Sequence, residues 1–171
     1  MAVYANSPSC RGIAVWRASD GKRLYEFEGS GGNSFAISPD GEILVVEDER
    51  TGTIAFVRIQ DGAIIQTIDR SSEAREDGRI LSSFSPAGQL YAIGPTNGSI
   101  KVWQIVVDAP LYTLTSPYVW TAISFSPDGK RLILASDAIQ IWNATDGTLL
   151  RTLEGQSTIG EGGLFSPDGR I

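Results

Sequence analysis

The stretch that decides the fold runs from Phe125 to Gly155, FSPDGKRLILASDAIQIWNATDGTLLRTLEG. The rest of the chain repeats this stretch in a more or less altered form. Its Ser-Pro-Asp-Gly turn recurs at Ser38, Ser126 and Ser166, and as Ser-Pro-Ala-Gly at Ser85. Successive serines are therefore 47, 41 and 40 residues apart. A signal that returns at this interval indicates a tandem repeat.

A second sequence motif recurs at nearly the same interval along the chain. It is a short alternating segment that ends in a large residue, and it occurs at Ile13–Trp16, Ile54–Val57, Ile100–Trp103 and Ile139–Trp142. β-Branched residues at every second position are typical of a strand, and a large residue on the opposite face suits sheets that pack face to face. Two landmarks in phase, with about four short strands per repeat, predict an all-β propeller of four-stranded antiparallel blades.

The recurring Ser-Pro-Asp-Gly turn is predicted to be structural rather than catalytic. Proline presets φ at the second position, and glycine accepts the left-handed conformation that lets the next strand fold back. The chain contains no histidine. The turn serines therefore lack the base that a Ser-His nucleophile requires.

These residues resemble the WD-repeat (WD40) β-propeller family, and the resemblance covers essentially the whole chain. The matching pieces are the Phe-Ser-Pro-Asp-Gly turn, the Ile-x-Ile/Val-Trp strand, the Asp-Gly turn and Leu-x-x-Thr-Leu-x-Gly at Leu149–Gly155. The chain departs from the family pattern because it lacks the Gly-His dipeptide. The aspartate expected after each tryptophan is also replaced, by Arg17, Arg58, Gln104 and Asn143.

The resemblance implies a hydrogen-bonded network of His, Ser/Thr, Asp and Trp inside each family blade. We do not expect this network to form in full, because the chain has no histidine. Packing and turn chemistry are then expected to hold each blade together. Asp137, in the turn between the second and third strands of the last full repeat, is the best remaining counterpart of the network's aspartate.

The repeats predict one propeller region over residues 1–171. We expect a partial blade at 1–28, full blades at 34–69, 80–115 and 120–154, and the start of a blade at 161–171. In the family a blade made from both termini closes the ring, so residues 1–28 would complete the last blade. Three interpretations stay open: a fragment of a longer propeller of about seven blades, a homodimer in which two copies form one ring through blade completion, and a four-blade ring or open arc.

Composition limits the classes of partner. A formal net charge of −6 and a pI near 4.6 argue against nucleic acid and anionic membranes as partners. No signal peptide or membrane-spanning segment is visible, and the single cysteine, Cys10, cannot form an internal disulfide. These features predict a cytoplasmic protein.

No cofactor or metal is expected. Zinc and copper sites usually recruit histidine or paired cysteines. The acidic run Glu47–Glu49 is interpreted as a solvated turn, because a calcium loop needs more oxygen ligands at set positions. The glycine-rich stretch Gly29–Ser34 lacks the Gly-Lys-Ser/Thr ending of a phosphate-binding loop. The sequence therefore offers no catalytic or cofactor-binding residues.

One face of the predicted propeller collects the connections between blades and the turns between second and third strands. Arginine and aromatic side chains dominate many protein interfaces. The candidate residues on this face are Arg11, Arg50, Arg70, Arg75, Arg79, Tyr118, Trp120 and Asp137. The alternative is that Trp120 packs at the top of a first strand and that the charged 69–79 connection is a solvated loop.

These observations predict a non-enzymatic protein-interaction scaffold, as the recognition or regulatory part of a larger protein. The expected partners are proteins. Two other hypotheses stay open: a propeller hydrolase that depends on calcium in the central channel, and a purely structural segment that self-assembles through its blade edges.

Overall fold

The computed structural model describes residues 2–3, 12–28, 35–48, 52–69, 80–105, 107, 109–115, 119–154, 165–166 and 169. These residues form β-strands and turns, as the repeat predicted. A search of the described ranges for a helix with the length and apolar character of a membrane span finds none. The strands are β1 (Ala2–Val3), β2 (Gly12–Arg17), β3 (Lys22–Glu28), β4 (Phe35–Ile37), β5 (Ile43–Asp48), β6 (Thr53–Arg58), β7 (Ile64–Asp69), β8 (Ile80–Phe84), β9 (Leu90–Pro95), β10 (Ile100–Gln104), β11 (Pro110–Leu114), β12 (Ala122–Phe125), β13 (Arg131–Ala135), β14 (Ala138–Asn143) and β15 (Leu149–Glu154).

The strands form four antiparallel sheets in which each strand pairs with its neighbours in sequence. Sheet 1 contains β1–β3, sheet 2 β4–β7, sheet 3 β8–β11 and sheet 4 β12–β15. The chain divides into two compact units, Met1–Ala74 and Arg75–Ile171. We call them the N-terminal unit, with sheets 1 and 2, and the C-terminal unit, with sheets 3 and 4. Three sheets of four strands and one of three have the meander topology expected of propeller blades.

The Ser-Pro-Asp-Gly turns join the first and second strands of their sheets. In sheet 4, buried Ser126 donates a hydrogen bond from Oγ to Asp128 Oδ1 (2.6 Å) and accepts one from the Arg131 amide (2.9 Å). Gly129 has a φ of 70°, the left-handed conformation that glycine adopts at low cost. The serine therefore closes the turn, and the hydrogen bond from Ser126 holds the pKa of Asp128 below its ordinary 3.8.

Successive turns of this kind stack on one another in the C-terminal unit. A Cβ at Gly129 would lie 3.6 Å from Pro86 of the turn in sheet 3. A Cβ at Gly169 would lie 3.6 Å from Pro127 of the turn in sheet 4. The turn that begins at Ser166 therefore continues the same stacking.

The sheets of each unit pack face to face. In the C-terminal unit, Ile100 and Val102 of sheet 3 share a buried cluster with Leu132, Leu134 and Trp142 of sheet 4. Full burial of one such aliphatic side chain contributes about 1.5–3 kcal/mol. The Ile/Val face of one sheet thus meets the tryptophan face of the next, as the alternating pattern predicted. The core of the N-terminal unit contains Val15, Leu44, Val46 and Val57.

The outermost strand of every sheet carries a β-bulge at the same place. In sheet 3, for example, Val102 pairs with Tyr112 and Trp103 with Pro110, so that Leu111 is the extra residue. Bulges bend an edge strand and disturb its pairing ladder. The extra residues at the four bulges are Leu24, Ile65, Leu111 and Leu150.

A tyrosine directly after the bulge contacts the next sheet in both units. Tyr112 donates a hydrogen bond to the Ala144 carbonyl (2.7 Å), and its ring lies against Gly147, where a Cβ would approach it to 2.5 Å. Tyr25 makes the equivalent contact with the Gln60 carbonyl (2.6 Å) and Gly62. The glycine of each Asp-Gly turn therefore leaves room for a tyrosine of the preceding sheet.

The tryptophans of the third strands show why the family network is incomplete. Among the described residues, the buried indole Nε1 atoms of Trp16, Trp103 and Trp142 have no hydrogen-bond partner. A buried unsatisfied donor costs roughly 1–3 kcal/mol. Asp137 is exposed in its turn, and so does not serve as their acceptor. Packing replaces hydrogen bonding around these rings.

Candidate protein-binding face

Three loop segments of the C-terminal unit meet at one end of sheets 3 and 4. They are residues 96–99, between β9 and β10, residues 119–121, which precede β12, and residues 136–137, between β13 and β14. We call this surface the connector face. The residue that assembles it is Trp120, which lies in the connection between the two sheets.

Trp120 is held by backbone and side-chain hydrogen bonds to the first of these loops. Its amide donates to the Thr96 carbonyl (2.7 Å), and its indole Nε1 donates to the Gly98 carbonyl (3.1 Å). The side chain is fully buried and belongs to the core cluster of the unit. The indole therefore joins the connection, the turn and the core.

The residues on the other side of Trp120 attach the connection to sheet 4. The Thr121 amide and hydroxyl both donate to the Ala135 carbonyl, at 2.8 and 3.2 Å. Buried Ser136 then closes the tight turn, because its Oγ donates to the Ala138 carbonyl and accepts from the Ala138 amide. Hydrogen bonds therefore order all three loops in the unbound protein.

The connector face offers a mixed chemical surface to solvent. Val119 is 63% exposed, and Asn97, Thr121 and Asp137 are also exposed. An aliphatic side chain, an amide, a hydroxyl and a carboxylate can contact a protein surface through both apolar and hydrogen-bonding groups. The buried Ser136 hydroxyl is already bonded within its own turn. The face therefore offers groups that can contact another protein.

The structure describes two of the residues predicted for the binding face. Asp137 is exposed in the turn between β13 and β14, and its role in binding stays a prediction. Trp120 requires a correction, because none of its surface is exposed. Its indole forms part of the core instead of contacting a partner, as the alternative interpretation held. The remaining predicted residues lie outside the described residues: Arg11, Arg50, Arg70, Arg75, Arg79 and Tyr118.

Val119 and Thr121 were missed by sequence reasoning. Arginine and aromatic residues dominate many protein interfaces, and Trp120 was predicted on the ground of its residue type alone. The two neighbours of a buried tryptophan in an extended segment face away from it, because side chains alternate along extended chain. Once Trp120 is placed in the core, this alternation would have identified both of them.

Metal binding has no candidate site in the described parts of the chain. There, no group of three His, Cys, Asp or Glu side chains comes together in a way that could hold an ion. The interpretation of Glu47–Glu49 as a solvated turn is wrong for its first two residues, because Glu47 and Asp48 belong to β5 and Glu47 is buried. Glu49 lies outside the described residues. The glycine-rich stretch Gly29–Ser34 also lies outside them.

Comparison with known proteins gives no matching protein-family model, but it finds several related proteins. Transducin beta-like protein 3 of Rattus norvegicus is 30% identical over 142 residues, which cover 80% of this chain and 17% of that protein. Periodic tryptophan protein 2 homolog of Schizosaccharomyces pombe is 26% identical over 134 residues, 76% of this chain and 15% of that protein. WD repeat-containing protein SL1-17 of Schistosoma mansoni is 23% identical over 144 residues, 81% of this chain and 46% of that protein.

The chain matches less than half of the length of each of these relatives. The similarity nevertheless extends over most of the chain and so includes several repeats. The repeat interval, the meander sheets with their bulged outer strands and these relatives together show that the chain belongs to the WD-repeat family of β-propeller proteins.

Proposed function

We propose that this chain is a non-enzymatic protein-interaction platform within a larger protein, and that the connector face is its recognition surface. The observation that carries the proposal is the placement of Trp120. A fully buried indole fixes the connection, while its neighbour Val119 is held 63% exposed. An aliphatic side chain presented to solvent by a buried anchor is a preformed contact.

Preorganisation is the physical advantage of this arrangement. A loop that is ordered before binding loses less conformational freedom on association, so more of the contact energy appears as affinity. The hydrogen bonds from Trp120 and Thr121 supply this order at the connector face. The frame beneath can stay the same while the exposed loop residues determine which partner binds.

The partner class and location follow from charge and composition. A net charge of −6 favours protein partners over nucleic acid and anionic membranes. A single cysteine suits a reducing compartment, so a cytoplasmic location is part of the proposal. The relatives are longer than the matched region, which supports a platform that belongs to a larger assembly.

Site-specific photo-crosslinking tests this proposal. Val119 is replaced by a benzophenone amino acid in the full-length protein, which is then irradiated in its native cells. We expect a discrete crosslinked protein that disappears when excess purified chain is added as a competitor. A competitor chain with Asp137→Arg should compete less well, because the reversed charge lies on the same face.

Thr145 provides the control position. It is exposed in the turn between β14 and β15, at the other end of the strands. A photo-crosslinker there should not give the same product. Two results would contradict the proposal: equal crosslinking from both positions, or turnover of a substrate by the purified chain that depends on a defined acidic cluster.

A further inference from the structure

The end of the C-terminal unit opposite the connector face exposes several aliphatic side chains. Val107 is 39%, Leu111 43%, Leu149 47% and Leu150 55% exposed. Val107 lies in the turn between β10 and β11, and the two leucines of sheet 4 begin β15. Single exposed apolar residues are common on soluble proteins, whereas a group of neighbours marks an interaction site.

The contact of Tyr112 with the next sheet brings sheet 3 close to the start of β15. Leu111 directly precedes Tyr112, whose ring lies against Gly147 in the turn between β14 and β15. Leu149 follows that glycine by two residues. We call the surface formed by the bulge of sheet 3 and the start of β15 the outer rim.

Two of the rim leucines lie at bulges. Leu111 and Leu150 are both the extra residue of a bulge and have no partner in the pairing register. A bulge changes the direction of a side chain relative to the regular alternation of the strand. The equivalent bulge residues of the N-terminal unit, Leu24 and Ile65, are half-buried, so the exposure of Leu111 and Leu150 distinguishes the C-terminal unit.

Basic side chains border the rim on sheet 4. Lys130, Arg131 and Arg151 are exposed. The Lys130 carbonyl accepts a hydrogen bond from the Ala144 amide (3.0 Å), which places it beside the carbonyl that holds Tyr112. Two carboxylates lie nearby: Asp128 accepts hydrogen bonds from Ser126 and the Lys130 amide, and Asp146 accepts them from Thr148. Lys130 and Arg131 are close enough to Asp128 for their charges to lower its pKa.

These cations differ from the arginines of the N-terminal unit. There, every described arginine forms an ion pair: Arg17 with Asp20, Arg23 with Glu26 and Arg58 with Asp61. In the described part of the C-terminal unit, Lys130, Arg131 and Arg151 form no ion pair. The rim therefore combines exposed aliphatic groups with three cations that form no direct ion pair among the described residues, on a chain whose net charge is negative.

We propose that the outer rim of the C-terminal unit docks an acidic segment of a partner protein, one that carries aliphatic or aromatic anchor residues between its carboxylates. The leucines would receive the anchors, and Lys130, Arg131 and Arg151 would pair with the carboxylates. The inference rests on the proposed interaction function but adds a second surface, with a defined partner chemistry, at the other end of the strands.

Selection of random linear peptides displayed on phage, with the purified chain as the target, tests this proposal. We expect the enriched peptides to combine Asp or Glu with Leu, Ile, Phe or Trp. Binding of the synthesised peptides is then measured by fluorescence anisotropy. Leu150→Glu and Arg131→Glu should each weaken binding at least about tenfold, as loss of a central interface residue does. Leu150→Ser, which adds no charge, should weaken it less.

Ile64→Glu is the matched control. Ile64 is 61% exposed in the N-terminal unit, where the nearby Arg58 is already ion-paired. This variant should bind the peptides like the wild-type chain. Circular dichroism establishes that each variant is folded, which is expected because all three substituted residues are exposed.

The remaining outcomes separate this inference from the proposed function. Peptides whose binding is lost with Asp137→Lys and kept with Leu150→Glu would overturn the rim and support the connector face. If peptides bind through the outer rim and no crosslink forms from position 119, the results would support the outer rim and not the connector face. No enriched peptide together with no crosslink would contradict both. Sedimentation with phosphatidylserine vesicles that is lost with Leu150→Glu, in the absence of peptide binding, would assign the rim to a membrane surface.

Discussion

The N-terminal and C-terminal units share a backbone design and differ in the side chains that surround it. In both, a tyrosine after the outer-strand bulge contacts the Asp-Gly turn of the following sheet. The N-terminal unit adds ion pairs across its Asp-Gly turns. The C-terminal unit instead places Asn143 opposite Asp146 and has Val107 in the corresponding turn of sheet 3.

The connections differ as well. Trp120 anchors the connection of the C-terminal unit, and alignment on the turn serines places Gly32 at that position of the N-terminal unit. Backbone conformation and buried contacts therefore define the repeat. Exposed charges vary between repeats because they contribute little to folding, whereas the connection of the C-terminal unit contributes Trp120 to the core. Function is therefore expected at the varied positions.

The largest expected effect is that of Trp120→Ala. Loss of a fully buried tryptophan leaves a cavity and should lower the free energy of unfolding by about 3–5 kcal/mol. Hydrogen exchange should accelerate in β12 and β13, while β5 and β6 of the N-terminal unit keep their protection. Val119→Ala is the control and should have little effect. Unchanged exchange in β12 would contradict the anchoring role of Trp120.

Substitution of the turn glycines compares the two tyrosine contacts directly. Gly147→Ala combines a φ of 70° with a clash against Tyr112. It should lower the free energy of unfolding by about 2–4 kcal/mol. Gly62→Ala meets Tyr25 at a slightly greater distance, 2.8 Å, and should cost somewhat less. Gly21 has the same conformation with open space around it, so Gly21→Ala should cost only about 1–2 kcal/mol. Equal losses at the three sites in chemical denaturation would exclude a role for the tyrosine rings.

Removal of the tyrosine hydroxyls should lower the free energy of unfolding by a smaller amount, and this amount should differ between the two units. Tyr112→Phe should lower the free energy of unfolding by about 1 kcal/mol, the net contribution of one hydrogen bond. Tyr25→Phe should lose less, because the Tyr25 hydroxyl lies in an exposed contact where water can replace it. Equal losses in urea unfolding would contradict this difference between the units.

The Tyr112 hydroxyl is also expected to make the stability of the fold depend on pH. Burial, with the charge of Asp146 as a second cause, raises the pKa of Tyr112 from 10.0 to about 12. Folding thus favours the neutral phenol. Its contribution to stability is fully present below pH 10 and is lost as pH rises through about 12. Ultraviolet absorbance titration should show a component that ionises late, and Tyr112→Phe should reduce that component.

The smallest effect is a gain in stability from Ala87→Asp. Sheet 3 keeps the turn serine, and the Leu90 amide donates to Ser85 Oγ (3.0 Å), but alanine replaces the aspartate that sheets 2 and 4 have. Restoring the serine–aspartate hydrogen bond should raise the free energy of unfolding by about 0.5–1 kcal/mol. In sheet 2 this bond, from Ser38, holds the pKa of Asp40 below 3.8.

A lowered carboxyl pKa stabilises the ionised form in the folded state. The gain from Ala87→Asp should therefore be complete above pH 3.8 and be lost as pH falls through the lower folded value. Thermal unfolding of both chains at neutral and acidic pH measures this difference. Ala87→Asn, which cannot ionise, is the control. A gain that is independent of pH would show that the carboxylate is not responsible.

Most of the fold could be predicted from the sequence, and little of the site. The turns at Ser85 and Ser126 and the strands at Ile100 and Ile139 depend on local chemistry that repeats, so that each copy supports the others. The connector face depends on one tryptophan whose type suggested an interface. Its hydrogen bonds to Thr96 and Gly98 join segments that are more than twenty residues apart, and no local pattern contains that information.

The sequence by itself determined the repeat, the all-β class, the structural role of the turn serines and the absence of a complete family network around the tryptophans. These follow from φ preferences, side-chain alternation and residue inventory, all of which act over a few neighbouring residues. Three facts depend on the tertiary structure: Trp120 is a core residue, Tyr112 contacts the next sheet, and Leu111 and Leu150 are exposed. Burial and contact depend on which distant segments pack together, and a linear pattern does not specify that packing.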